Sequence, residues 1–280
     1  MADEKPKTLV IQGRVLISPD VKMKYKDRPV PVTERFLELH DELDRCGLIA
    51  RLKTIPHYGT IKVSARCDHK RFEYVCQQLV LHDLGRQTMK DRHMVFKYSN
   101  RIHTVDGVNF SLYDAVAILL LTSNIGHFKK TFTASRAALQ LCRDSEAYRE
   151  RLLSAVDDAR YYQAVDRVVE TCGDAQFHLL NALVLLERCN GTLPCVKMAK
   201  ELLYMYLGEE SCIPDEKREA ILYVYRQIRD IAYLQSDLPC AAVPTRLITA
   251  GSALNTLLQQ LLSRFNDTEP ARKMLRSTFL

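Results

Sequence analysis

The stretch HYGTIKVSARCDHKRFEYVCQQL, residues 57–79, decides which fold the sequence predicts for the first third of the chain. It reads as a turn, then a strand of alternating apolar residues, then a helix. Asp68 stands where a helix N-cap is expected. Phe72, Cys76 and Leu79 recur at helical spacing and form one apolar stripe. The stretch therefore predicts a strand that leads directly into a helix.

The flanking segments extend this unit in both directions. TLVIQGRVLI (8–17) is rich in β-branched residues and predicts a strand, and the polar, proline-rich residues 18–32 predict a loop. Thr33 caps a predicted helix that ends near Gly47. Further strands are predicted for LIARLKTI (48–55) and HMVFKYS (93–99). The resulting order, β-α-β-β-α-β, is the ferredoxin-like arrangement.

Beyond Asp106-Gly107 the apolar period changes to that of helices and stays so nearly to the C-terminus. The sequence therefore predicts an α+β protein with a ferredoxin-like domain at 1–105 and a mainly α-helical bundle domain at 106–280. Helices are predicted at 111–123, 133–143, 146–171, 175–189, 195–207, 215–235 and 246–264.

Charge is distributed unevenly between the two predicted domains. The net charge is +6, and residues 1–110 hold 20 Lys and Arg against 14 Asp and Glu, so the whole excess lies there. Such an asymmetry is typical of a face for nucleic acid or an acidic protein partner, and equally of a solvated surface. The nine cysteines are scattered and odd in number, which indicates reduced thiols in the cytoplasm or nucleus. No secretory signal and no membrane span are expected.

The βαββαβ order resembles the RNA-recognition module, in which aromatic residues on central strands stack on bases. Tyr58 and Gly59 match the pattern of that family, whereas Thr60 and Val63 stand where two aromatic residues belong. The resemblance is topological and covers the first domain only. Electrostatic binding to nucleic acid needs only lysine and arginine side chains, and the first domain offers them together with one aromatic residue. Lysines on an edge strand also prevent aggregation, so the same residues fit a surface without a ligand. The candidate residues for nucleic acid or an acidic partner are Lys22, Lys24, Lys26, Arg28, Tyr58, Lys62, Arg66, Arg86, Lys90, Arg92, Lys97 and Arg101.

Signatures of catalysis and of cofactor binding are missing from the sequence. It has no phosphate-binding glycine loop, no nucleophile elbow and no zinc-protease motif. Cys67, Cys76 and His82 lack the spacing of a zinc finger, and Cys189 and Cys195 have no second pair. We therefore predict no catalytic residue, no metal site and no cofactor, and an enzyme with a dispersed active site is the least favoured class.

The helical segment carries a set of tyrosines and ends in a short amphipathic tail. Tyrosine is enriched at interfaces, although packing between neighbouring helices accounts for most such residues. The sequence favours a non-catalytic binding or assembly protein, a subunit or adaptor in a homo- or hetero-oligomer, and the alternative is an RNA- or DNA-binding protein. The candidate interface residues are Tyr204, Tyr206, Tyr223, Tyr225, Leu275 and Phe279.

Overall fold

The computed structural model describes residues 7–10, 13–16, 22–25, 29–57, 70–91, 101–172 and 176–236. In these residues the strands form three separate two-stranded antiparallel sheets. They pair β1 (Lys7–Val10) with β4 (Pro29–Val32), β2 (Gly13–Leu16) with β3 (Lys22–Tyr25), and β5 (Arg101–Val105) with β6 (Val108–Ser111).

Helices make up most of the described chain, and several begin at a side-chain cap or end at a glycine. Thr33 caps the first of them, as the sequence predicts, and Ser111 caps another. In order they are α1 (Glu34–Arg45), α2 (Leu48–Leu52), α3 (Arg71–Asp91), α4 (Leu112–Ile125), α5 (Thr131–Asp144), α6 (Glu146–Leu153), α7 (Ala159–Arg167), α8 (Phe177–Leu186), α9 (Pro194–Leu207) and α10 (Asp215–Ser236), with a π-helical turn at Val168–Cys172 after α7.

The ferredoxin-like α+β prediction is wrong, because the described chain is mostly helical and no described sheet has more than two strands. The predicted strand 8–17 is divided between β1 and β2, and the predicted loop 18–32 contains β3 and β4. These four strands pair in nested order, so they are antiparallel neighbours and do not alternate with helices. The strand predicted at 93–99 and the strand within residues 57–69 lie outside the described residues.

The predicted strand at 48–55 is instead the short helix α2 followed by a turn. Leu48, Ile49 and Leu52 are all buried, and these positions share one face of a helix, whereas a strand would direct Leu48 and Ile49 to opposite faces. Gly47 precedes α2 with a φ of +74°, a left-handed conformation that glycine adopts without strain and that lets α2 follow α1 directly. Burial against the helical core decides between the two patterns.

The predicted domain boundary falls in the turn between β5 and β6. Asp106 and Gly107 have φ values of +49° and +78°, as a tight hairpin turn with two left-handed residues requires. Buried apolar residues on both sides of this turn, from Val32 to Ala232, belong to one core cluster. That the two segments are separate domains stays a prediction.

The helices predicted after residue 110 are present as far as the description extends, with one division. The predicted helix 146–171 is split into α6, α7 and the π-helical turn, whereas the other ends agree to within about three residues. Pro194 is the first residue of α9 and Gly208 is its C-cap with a φ of +84°, which are the typical start and stop signals of a helix. The helix predicted at 246–264 lies outside the described residues.

Helix α4 forms the centre of the fold, because all fourteen of its residues are buried. Helices α1, α3, α8, α9 and α10 pack around it. A helix that is apolar on every side needs such a complete cover. Two of its polar side chains bond within the helix: Thr122 donates to the Ile118 carbonyl at 2.8 Å, and Asn124 donates to the Leu120 carbonyl at 2.8 Å. Among the described helices, α4 included, none is both long and apolar enough to cross a bilayer.

Candidate functional site

The candidate cations form two basic clusters along the sequence, one at residues 22–28 and one at residues 86–101. Parts of both clusters lie on neighbouring elements. Lys22 and Lys24 are in β3, where the strand register places Lys24 opposite Arg14 of β2. Strand β2 in turn packs against α3, which carries Arg86 and Lys90 near its C-terminal end. The fold therefore connects elements of both clusters through one packing contact.

The other members of these clusters are less informative. Arg101 is the first residue of β5. The remaining candidates lie outside the described residues, so their role stays a prediction: Lys26, Arg28, Tyr58, Lys62, Arg66, Arg92 and Lys97.

Two of the candidate interface tyrosines are inside the fold. Tyr204 is 1% exposed, and the guanidinium carbon of Arg160 lies 4.1 Å from its ring centroid. Tyr225 is 4% exposed, and its hydroxyl donates to the Ser123 hydroxyl of α4 at 3.1 Å. Burial raises the pKa of both phenols. These two side chains thus contribute to internal packing between helices.

The remaining interface candidates do not form one surface with them. Tyr206 packs edge-on against Tyr225, with ring centroids 5.0 Å apart, and its hydroxyl accepts from Arg229 at 2.8 Å. Tyr223 lies on the outer side of α10 and is 39% exposed. Leu275 and Phe279 lie outside the described residues, so an interface role for them stays a prediction.

A different group of apolar side chains is incompletely covered by the fold. Helix α6 has no buried residue, and its apolar members Tyr148, Leu152 and Leu153 are only half-buried. The adjacent helices carry two exposed apolar residues, Leu141 of α5 at 49% and Tyr162 of α7 at 38%. We call these five residues the α5–α7 surface. Sequence analysis missed it, because periodicity shows which residues share a helix face but not which face a neighbour covers.

Polar contacts join the helices that carry this surface. Arg149 of α6 donates to Asp166 of α7 at 2.7 Å and lies 3.7 Å from Glu170 in the π-helical turn. Arg143 of α5 donates through Nε to the Val169 carbonyl of the same turn at 2.8 Å. A π-helical turn leaves carbonyls without their usual helical donors, and such turns are frequent at functional sites. These contacts link α5 and α6 to α7 and the π-helical turn that follows it.

In the described residues, the α5–α7 surface and the layer under it offer no activated nucleophile. Burial raises the pKa of the Cys142 thiol and of the Tyr148 and Tyr161 phenols, so all three stay protonated at neutral pH. The Tyr161 hydroxyl is buried and has no hydrogen-bond partner among the residues that are described. This arrangement is suited to apolar packing and not to acid–base chemistry.

A polar cleft of about 390 Å³ lies elsewhere, between β5, α7 and α9. Cys212 lines it, and burial together with the nearby Glu201 carboxylate raises the pKa of its thiol to about 12. A thiol with so high a pKa is a poor nucleophile. Each lining lysine or arginine is paired with a carboxylate, so the cleft has little charge to spare for an ionic ligand: Arg160 with Glu201, Lys197 with Asp106, and Lys200 with Glu187.

Comparison with known proteins adds no relative from which a site could be transferred. No protein-family model, no curated protein and no solved structure matches the chain. The function is therefore inferred from the residues and geometry of this chain alone.

Proposed function

We propose that this chain is a non-catalytic binding or assembly protein, a subunit or adaptor of a larger complex, and that its α5–α7 surface receives a protein partner. One observation supports this most directly. Helix α6 lacks any buried residue, and the helices on both sides of it expose Leu141 and Tyr162. Of the three large apolar side chains that are exposed in the described residues, two are in this small region.

Burying this surface against a partner would be favourable in free energy. Burial of apolar area contributes about 25 cal/mol per Å², so covering the exposed half of Leu141 alone contributes on the order of 1 kcal/mol. Helix α6 has only eight residues and is too short to be stable by itself. Its stability comes from packing, and a partner that completes the packing would stabilise it further.

The charges around the surface indicate the chemistry of the partner. From Leu141 to Glu170 the exposed carboxylates outnumber the exposed cations, which are Arg143 and Arg151. We infer a protein partner that inserts apolar side chains ringed by lysine or arginine, because complementary charges speed association and exclude wrong partners. The exposed carboxylates are Asp144, Glu146, Glu150, Asp157, Asp166 and Glu170.

The test combines Leu141→Glu and Tyr162→Glu in one variant. The matched control is Tyr223→Glu, since Tyr223 has nearly the same exposure but lies on α10. Tagged full-length chains are purified from the native host cell, and co-purifying proteins are quantified by mass spectrometry. A protein that the double variant loses and the control keeps is then purified, and its Kd for each chain is measured by calorimetry.

We expect the double variant to weaken the reconstituted complex at least tenfold and the control to leave it unchanged, with circular dichroism showing all chains folded. Equal retention of every co-purifying protein by the double variant would contradict the proposal. Sedimentation of the wild type tests another occupant: a dimer that the double variant abolishes would assign the surface to a second copy of this chain.

Nucleic-acid binding is the second candidate function, and the packing of β2 on α3 favours it, because that contact links elements of both basic clusters. The test is fluorescence anisotropy with labelled single-stranded RNA and duplex DNA at low and near-physiological salt. Binding that falls steeply with salt and weakens when Lys22 and Lys24 are both changed to glutamate would support it. Absence of binding at low salt would remove this candidate.

A further inference from the structure

Two cysteines and a glutamate from distant parts of the chain meet beside the end of α1. Glu42 and Cys46 are four residues apart, so they lie on the same side of the helix terminus. Cys189 comes from the segment between α8 and α9. One donor atom from each residue lies within 4.8 Å of the other two. Glu42 and Cys189 are buried, and Cys46 is half-buried.

The separations are close to those of a tetrahedral metal site. With zinc–sulfur and zinc–oxygen bonds of about 2.3 and 2.1 Å, tetrahedral geometry places a sulfur and an oxygen ligand about 3.6 Å apart. The Sγ of Cys46 lies 3.6 Å from Oε1 of Glu42. Two sulfur ligands of one zinc ion lie about 3.8 Å apart, so side-chain adjustments of an ångström or less would complete the set.

The backbone around Cys189 holds these ligands in position. Asn190 donates its N–H to Oε1 of Glu42 at 2.6 Å, and the Arg188 carbonyl accepts from the Cys46 thiol at 3.4 Å. The Asn190 contact fixes the direction of the Glu42 carboxylate, as supporting hydrogen bonds do at metal sites. The Cys46 thiol loses its contact with the Arg188 carbonyl together with its proton when the ion binds.

The charge of the cluster is compatible with a divalent cation. The Glu42 carboxylate accepts from the Arg45 guanidinium, so it is already paired with a positive charge. Two thiolates and one carboxylate would carry three negative charges. The two positive charges of the ion and the one of Arg45 balance them. The Arg45 side chain is 63% exposed, so it can release Oε1 and keep its contact from Nε to Oε2, now at 2.8 Å.

We propose that Glu42, Cys46 and Cys189 form a binding site for a thiophilic divalent cation, of which Zn²⁺ is the expected ion. Binding expels one proton from each thiol to solvent and forms two metal–sulfur bonds and one metal–oxygen bond, with water in the fourth position. Thiolate ligands select zinc over magnesium or calcium. The ion would tie the end of α1 to the α8–α9 segment, which raises stability because the unfolded chain has no such site.

The test is a Co²⁺ titration of the full-length chain, reduced beforehand and freed of reductant under anaerobic conditions. Cobalt reports its ligands by a sulfur-to-metal charge-transfer band and by visible bands typical of tetrahedral coordination. We expect saturation at one Co²⁺ per chain, displacement by Zn²⁺, and a rise in the melting temperature with Zn²⁺.

Variants assign the ligands. Cys46→Ser and Cys189→Ser should each remove about half or more of the charge-transfer intensity and weaken binding at least tenfold. Cys212→Ser is the matched control, because this thiol lies in the polar cleft, and it should retain the full band. Alkylation followed by peptide mapping gives a readout that does not need the variants to fold: Zn²⁺ should protect Cys46 and Cys189 in the wild type.

Three results would overturn the proposal. One is a reduced wild-type chain that shows no charge-transfer band. Another is full band intensity in both Cys46→Ser and Cys189→Ser, which would place the ion on other cysteines. The third is native protein whose peptide map joins Cys46 to Cys189, since that would assign the pair to a disulfide formed with loss of two hydrogens to an oxidant such as a peroxide.

Discussion

Arg51 of α2 donates from its guanidinium to the carbonyl of Ile125, 74 residues further along the chain, at the end of the central helix α4. A second guanidinium nitrogen donates to the His127 carbonyl at 2.5 Å. The last carbonyls of a helix have no partner within the helix, and a cation there also interacts favourably with the helix dipole. Arg51 thus caps α4, all of whose residues are buried, from outside that helix.

Replacing this cap should lower stability markedly. We expect Arg51→Met to reduce the free energy of unfolding by about 2–4 kcal/mol, because two charge-assisted hydrogen bonds are lost and two carbonyls remain without donors. Urea denaturation followed by circular dichroism measures the change. Arg226→Met, at an exposed position of α10, is the control and should change stability by less than about 0.5 kcal/mol. Equal stability of Arg51→Met and the wild type would show that the cap contributes nothing.

A single methyl group at Gly126 should disrupt the contact between α4 and α8. A Cβ there would lie 1.8 Å from the His178 carbonyl oxygen and 2.5 Å from the Ala182 nitrogen, and both are backbone atoms that cannot rotate away. We expect Gly126→Ala to cost about 3 kcal/mol or more, or to prevent folding. The measurement is the thermal or urea midpoint of the purified chain.

Gly191→Ala is the matched control for that change, because a Cβ at this position meets no atom within 4 Å. Its midpoint should stay close to that of the wild type. If both variants lose stability equally, the effect comes from glycine itself and not from the close approach of α8.

His127 should make stability decline in mild acid. Burial and the positive neighbours Arg71 and Arg51 lower its pKa well below 6.5, while its ring stacks on His178 at 4.1 Å. The unfolded chain therefore binds a proton near pH 6.5 that the folded chain does not bind. The stability of the fold is consequently lost as pH falls below that value. We expect His127→Phe to flatten this slope by up to about 1.4 kcal/mol per pH unit between pH 6.5 and 5.

Urea denaturation at a series of pH values measures this slope. The control is Gln163→Ala at an exposed position of α7 without a titrating group, which should keep the wild-type slope. An unchanged slope in His127→Phe would mean that His127 accepts its proton in the folded state. The other ionisable groups next to it that could titrate in this range are His178 and His57.

Glu42 should control stability at a lower pH. Its hydrogen bonds from Arg45 and Asn190 lower the pKa of the carboxyl from 4.5 to about 2. The folded state therefore holds this carboxylate ionised where the unfolded chain protonates it, and the resulting stability is present above pH 4.5 and lost between pH 4.5 and 2. We expect Glu42→Gln to be less stable than the wild type at pH 7 and to lose less stability over that acid window.

Acid unfolding monitored by circular dichroism in the presence of a chelator measures this effect without bound metal. Glu38→Gln, one turn earlier and exposed, is the control and should follow the wild-type curve. A Glu42→Gln curve that is parallel to the wild type through pH 4.5 to 2 would refute the role of this carboxylate.

Local signals in the sequence predict much of the helical part of the fold. Thr33 before α1, Pro194 at the start of α9 and Gly208 after it act through neighbouring atoms, so their meaning can be read without the rest of the chain. The apolar spacing of α5 and α10 is of the same kind, because it depends only on residues within one helix.

Short apolar runs and turn residues predict the fold less well than helix caps and helical spacing do. Residues 48–52 belong to a short apolar run that predicts a strand, and only the core around Leu52 decides for the helix. Asp106-Gly107 was interpreted as a boundary between domains, although the same pair is a strong hairpin signal. The two-stranded sheets show that β-rich segments need not join into one layer.

The sequence by itself determined where most helices begin and end, because caps, prolines, glycines and apolar spacing act over a few residues. Only the tertiary structure decided which distant groups meet. Asn190 reaches Glu42 across 148 residues, and Cys46 and Cys189 become neighbours in the same contact. The exposure of Leu141 and Tyr162 is likewise decided by packing, since the residues that cover a helix face come from elsewhere in the chain. Such meetings follow from the sum of many weak burial and hydrogen-bond terms over the whole chain, which no short segment contains.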